Sequence, residues 1–106
     1  MNKSAMDLFV NNAMNPEEML NRISYCIAVE CFMVNLARER RDDYAQSYHE
    51  HKIRGLALAV NCMGACIYVR HRNDMPYHKI EYFTIAYNGE ILMEVRDFSK
   101  AAEEAR

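Results

Sequence analysis

The feature that most constrains this chain is a dipeptide. Asn88-Gly89 stands between two segments, 79–87 and 90–97, that alternate apolar and polar residues. Asn-Gly best tolerates positive φ at both central positions of a type I′ turn, whose twist suits a two-residue hairpin. A β-hairpin is therefore predicted, and so short a loop sets its register. Counting outward from the turn, Ala86 faces Ile91, Thr84 faces Met93 and Tyr82 faces Val95, with Ile80 at the end of the same side. This is the expected core face. On the other side Tyr87 faces Glu90, Ile85 faces Leu92, Phe83 faces Glu94 and Glu81 faces Arg96, the last a favourable cross-strand charge pair. Large apolar residues ringed by carboxylates are the pattern of a contact surface. The alternative is that the chain's own tail covers this face through Phe98, Ala101 and Ala102.

Upstream of the hairpin the periodicity is helical. Asn15-Pro16-Glu17-Glu18 combines a capping side chain, a proline that loses no bonded N–H at the first helical position, and a glutamate three residues after the cap. A helix over 16–40 is predicted. Leu20, Ile23, Ile27 and Val34 form one row, and Met19, Cys26, Met33 and Leu36 form a second. The resulting stripe is wider than one buried face needs, so this helix is either central or shared with a second copy in a homodimer. The run Arg38-Glu39-Arg40-Arg41-Asp42-Asp43 reads as a solvated helix end. Asp43 with Gln46 resembles a capping box, so a second helix is expected over 44–63, packed through Tyr44, Tyr48, Leu56, Ala59, Val60 and Met63. Gly64 suits its left-handed terminator. Ile67-Tyr68-Val69 then marks a strand over 65–72. In the alternative, the second helix continues to about residue 71 and only a two-stranded hairpin follows. Residues 73–76 read as a loop, 1–14 as a lead-in, and 99–106 as a short helix capped by Ser99. The expected class is α+β: two N-terminal helices packed on a small three-stranded antiparallel sheet, ordered α-α-β-β-β, with a short C-terminal helix.

With 106 residues, one domain spanning 1–106 is expected. The most apolar stretch, 23–37, is interrupted by Glu30 and Asn35 and is too short to span a bilayer. No signal-like segment opens the chain, so the expected location is cytoplasmic, with Cys26, Cys31, Cys62 and Cys66 reduced. Residues 1–50 hold five basic and eight acidic groups, and residues 51–106 hold eight and seven. Neither half has the strong basic excess of a typical nucleic-acid binder.

Chemistry-bearing motifs are sparse. Cys62 and Cys66 are four apart, Cys26 and Cys31 five apart, and His49, His51, His71 and His78 are scattered. None gives the paired short spacings of a structural zinc site. Cys62 or Cys66 beside His71 is the conceivable nucleophile–base pair, and Glu30 is the acid set deepest in an apolar helix. Three isolated glycines make no phosphate loop. No catalytic residue, metal or cofactor is therefore assigned, and the chain is not expected to be an enzyme. Eight methionines and seven tyrosines instead suit adaptable contact surfaces. The leading expectation is a small non-enzymatic protein-binding regulator, adaptor or inhibitor, using Phe83, Ile85, Tyr87, Leu92 and Glu94. Its size and plainness are those of proteins with which phages and mobile elements block host proteins. The rival is a nucleic-acid-binding regulator using Arg70, Arg72 and Lys79, with Tyr68, Tyr77 and Tyr82 interleaved to stack on bases. Asp42, Asp43, Asp74 and Glu81 beside these clusters dilute the field that such binding needs.

Overall fold

The computed structural model describes residues 15–72 and 78–105. Expectations for the lead-in 1–14 and the loop 73–76 fall outside them. Six elements follow in order: α1 (Pro16–Glu39), α2 (Asp43–Cys62), β1 (Cys66–His71), β2 (Ile80–Tyr87), β3 (Glu90–Val95) and α3 (Phe98–Glu104). The three strands form one antiparallel sheet in the order β1-β2-β3. The α-α-β-β-β arrangement with a terminal helix is thus observed, and α2 does not run on to residue 71.

Local chemistry explains the helix boundaries. Asn15 Oδ1 accepts the Glu18 N–H at 2.8 Å, and Pro16 opens α1. The exit is a tight reversal: Arg41 has φ +54° and the Asp42 N–H donates to Ala37 O at 2.9 Å. A left-handed residue closing such a bond is the usual helix terminator, filled here by arginine rather than glycine. Asp42, not Asp43, caps α2, accepting the Ala45 N–H at 3.0 Å. The charged run therefore shapes the α1–α2 corner. Arg38, with only 14% of its side chain exposed, donates to Glu50 at 3.0 Å and to the His78 carbonyl. Gly64, at φ +85°, ends α2. Asn88 and Gly89 take the positive φ values that the turn requires. Asp97, rather than Ser99, caps α3 through the Lys100 N–H.

α1 is the centre of the molecule, packing against α2, α3 and β2. Ile27, Cys31 and Val34 are fully buried on it. Leu20, Ile23, Ile27 and Val34 of its stripe are buried or partly buried and Met33 and Leu36 partly so, while Met19 and Cys26 stay exposed. Glu30 and Asn35, polar residues in that stripe, are both engaged. Glu30 meets His49 Nδ1 at 2.5 Å and Lys52 Nζ at 3.5 Å across the α1–α2 contact. Asn35 clamps the start of β2: it donates to Ile80 O at 3.0 Å and accepts the Ile80 N–H at 2.7 Å.

The sheet departs from simple alternation at two places. In β3 one extra residue, Leu92, is bulged: Ala86 pairs with Ile91, but Ile85 pairs with Met93 and Phe83 with Val95. In β2 Glu81 is the extra residue, since Arg70 pairs with Tyr82 and His71 with Ile80. A bulge inverts which face the following residues occupy. The core rows across the sheet are Val69–Phe83–Val95 and Ile67–Ile85–Met93. Phe83 and Ile85 are fully buried, and Phe98 of α3 stacks on Phe83 with ring centroids 6.1 Å apart.

Candidate functional site

The sheet face turned away from the helices is the candidate site. Its rows are Arg70–Tyr82, Tyr68–Thr84 with Glu94, and Cys66–Ala86 with Ile91. Alternation counted from partly buried Met93 puts Leu92 on this side too. Among the described residues no element packs on it. Tyr68, Ile91 and Leu92 are 61%, 68% and 48% exposed, whereas Tyr87, half-exposed at the hairpin end, falls by alternation on the inward side with its ring beside Gly64. Arg96 closes the opposite end, lying over the Tyr82 ring at 4.2 Å from its centroid. Its guanidinium also meets Glu94 at 2.9 Å and Glu81 at 3.8 Å, so the expected Glu81–Arg96 charge contact is present, although with Phe83 opposite Val95 the two residues are not opposite each other in register. Hydrogen bonding to Glu94 raises the Arg96 pKa. The result is an apolar, aromatic strip edged by arginines whose charge is matched by carboxylates.

This arrangement corrects the expected faces. Phe83 and Ile85, assigned from strict alternation to a contact surface, are core, and α3 contributes the cover through Phe98 and Ala101. Leu92 and Glu94 are exposed on the outer face, while Tyr87, also exposed, shares the inward side with Phe83 and Ile85. Tyr82, Thr84, Ala86 and Ile91, assigned to the core, lie on the outer face, where Thr84 is nonetheless buried between its neighbours, and only Ile80, Met93 and Val95 of that set face inward. Strict alternation missed Tyr68, Tyr82 and Ile91 as candidate contact residues. Side-chain size carried the missing signal: Phe83 and Ile85 fill a core better than Thr84 and Ala86, and burying them beside Met93 and Val95 requires an extra residue in β3.

Arg70, Arg72 and Lys79 do not form one basic patch. Arg70 lies on the outer face. The Arg72 N–H donates to Lys79 O at 2.7 Å, and Lys79 Nζ pairs with Glu39 at 2.7 Å beside a groove of about 360 Å³ lined by Phe32, Leu36 and Phe98. Cys66 and His71 stand at opposite ends of β1 on opposite faces, about 16 Å apart along the strand, and form no nucleophile–base pair. Cys31 is sealed in the core, where burial, with the nearby Glu30 charge, pushes its thiol up to about 12. Among the described residues no three His, Cys, Asp or Glu side chains converge as metal ligands. A second cavity of about 320 Å³ is lined by Arg38, Glu50, Arg54 and His71 against Ile53, Val69 and Ile80. Its Arg38 and Glu50 bind each other. No helix of the described residues is long and apolar enough to cross a membrane.

Compared with known proteins, the chain matches no protein-family model, no curated protein and no solved structure.

Proposed function

We propose that this chain is a non-enzymatic protein-binding module, a regulator, adaptor or inhibitor, that captures its partner on the outer face of the sheet. The observation that carries this reading is the exposed strip of Tyr68, Ile91 and Leu92 on a face no described element covers. Leaving such a strip in water forfeits burial energy, and contiguous patches of this kind mark interaction sites. Tyrosine on the strip and arginine at its edge are among the residue types that dominate binding hot spots.

Charge chooses between protein and nucleic acid. Arg70 and Arg96 on this face are balanced by Glu81 and Glu94, and Arg96 is already bound by both acids. Few phosphates could be neutralised, and phosphate neutralisation supplies most of the affinity of backbone binding. The bulge at Leu92 breaks the outer edge of β3, which disfavours adding a partner strand there. Capture is therefore through side chains.

The test is a quantitative binding series with a partner recovered from the source cell. Tyr68→Ala combined with Ile91→Asp leaves the melting temperature unchanged, because both side chains are exposed, and weakens capture by about tenfold or more. Undiminished affinity of that variant would overturn the proposal. Steeply salt-dependent binding to RNA or DNA, lost on Tyr68→Ala with Arg70→Ala, would replace it with the nucleic-acid reading.

A further inference from the structure

The outward side of α2 carries a second unused surface, separate from the sheet. Tyr44, Tyr48, His51, Gly55, Leu58 and Cys62 recur in alternate steps of four and three residues, and all six are exposed. Tyr44 is 84% exposed and Leu58 65%. The same helix buries its opposite side through Ile53 and Val60, so its core-facing residues are accounted for. The expectation that Tyr44 and Tyr48 pack inward is corrected accordingly.

Alternate steps of four and three are the seam spacing of a coiled coil. Tyr44, Ser47, Tyr48 and His51 enclose a shallow concavity of about 280 Å³. They stand at i, i+3, i+4 and i+7, which makes them the four-residue hole that receives a knob from a facing helix. His51 Nδ1–H donates to Ser47 O at 2.8 Å, holding the imidazole along the helix as one wall of that hole.

We propose that this stripe pairs two copies of the chain, antiparallel, about a two-fold axis at Ile53. Positions equidistant from residue 53 then meet, setting Tyr44 against Cys62, Tyr48 against Leu58 and His51 against Gly55 of the second copy. Each pair sets a ring against a smaller group. Leu58 of each copy falls at the centre of the other's hole, so knob and hole lie on one helix at mirrored positions, as a self-complementary two-fold interface requires. Parallel in-register pairing would set hole on hole and Gly55 on Gly55. The area also fits. Tyr44, Tyr48 and Leu58 alone leave roughly 400 Å² exposed at areas typical of such side chains. That is about half of the ~800 Å² each partner contributes to a standard interface, and the remaining stripe and flanking residues extend it. Arg54 of each copy, tempered by the Glu50 charge nearby, falls opposite Lys52 of the other and opposes pairing, since Lys52, though paired with Glu30, lies over the Tyr48 ring at the seam. Screening by salt therefore tightens the dimer.

Sedimentation equilibrium on the full chain tests this, with dimers expected to form with rising concentration and more tightly at higher salt. A Cβ on Gly55 meets nothing within 4 Å in the isolated chain, so Gly55→Leu spares the monomer fold, yet it drives a side chain into His51 of the second copy. Gly55→Leu and Leu58→Asp each raise the dissociation constant by at least about tenfold. In a Cys26→Ser, Cys66→Ser background, Tyr44→Cys under oxidised glutathione gives an intermolecular disulfide between positions 44 and 62. A monomer at every concentration, a dimer indifferent to both stripe variants, a dimer that dissociates as salt rises, or cross-linking of Cys62 to Cys62 alone would overturn the proposal. None of these outcomes touches the sheet-face reading, because Ile91→Asp leaves the mass unchanged.

Discussion

His71 is held where burial and charge act in the same direction. It lines the cavity beside Arg38 and Glu50, and its pKa is lowered from the usual 6.5, first by burial and then by the Arg38 and His78 charges, with Glu50 opposing. The unfolded chain therefore binds a proton on His71 at a pH where the folded chain does not. Stability is full above pH 6.5 and is lost as the pH falls through the lowered folded value. Urea unfolding is expected to show the wild type losing stability as the pH falls below 6.5, and His71→Gln to flatten that part of the profile. An unchanged slope would show that His71 is not the group responsible. Glu50 adds to the loss at lower pH. Burial raises its pKa, but hydrogen bonds from Gln46 and Arg38 and the Arg38 charge outweigh burial, so the net shift is downward.

At the level of elements, local chemistry and tertiary demand divide the credit. Helix starts were legible because caps are short-range: Asn15-Pro16, an acidic residue at the α2 cap and Gly64 at its end act within a few residues of themselves. The hairpin turn was legible for the same reason. The sheet faces were not, because a bulge is decided by what the core needs and neither Glu81 nor Leu92 carries a turn-forming side chain to announce it. The Leu92 bulge alone separates a surface-exposed Phe83 from the buried one observed. The consequence is measurable. Phe83→Ala removes a fully buried ring stacked on Phe98 and is expected to cost about 3–5 kcal/mol in chemical denaturation. Ile91→Asp, two-thirds exposed, is expected to stay within about 0.5 kcal/mol of wild type. Comparable losses for the two would return Ile91 to the core. Of the candidate site, Leu92 and Glu94 were legible, Tyr68 was visible only as a possible stacking residue of the rival reading, and Tyr82 was read both as that and as core.

On the scale of the whole molecule, the layout is one helical layer on one side of a sheet, with α1 at its centre. That leaves two surfaces without a partner among the described residues: the outer sheet face and the outer stripe of α2. They lie on different elements and answer to different variants, so self-association and partner capture are separable in one set of samples. The near-neutral charge of the chain is consistent with both contacts being apolar at heart and ionic only at their edges.

The Asn35 clamp on Ile80 bears on how the chain reaches this layout. It closes a separation of 45 residues, whereas the α1–α2 reversal and the β2–β3 turn close within a few. Closing the longer loop costs more chain entropy, so the helical hairpin and the β-hairpin are expected to form early and to be locked together late. Asn35→Ala would strand the Ile80 N–H and carbonyl at a cost of about 1–3 kcal/mol. In stopped-flow experiments that loss should fall mainly on the unfolding limb, speeding escape while leaving the folding rate nearly untouched. One amide side chain would then act less as part of the scaffold than as its latch, setting how long the assembled molecule lasts rather than how fast it forms.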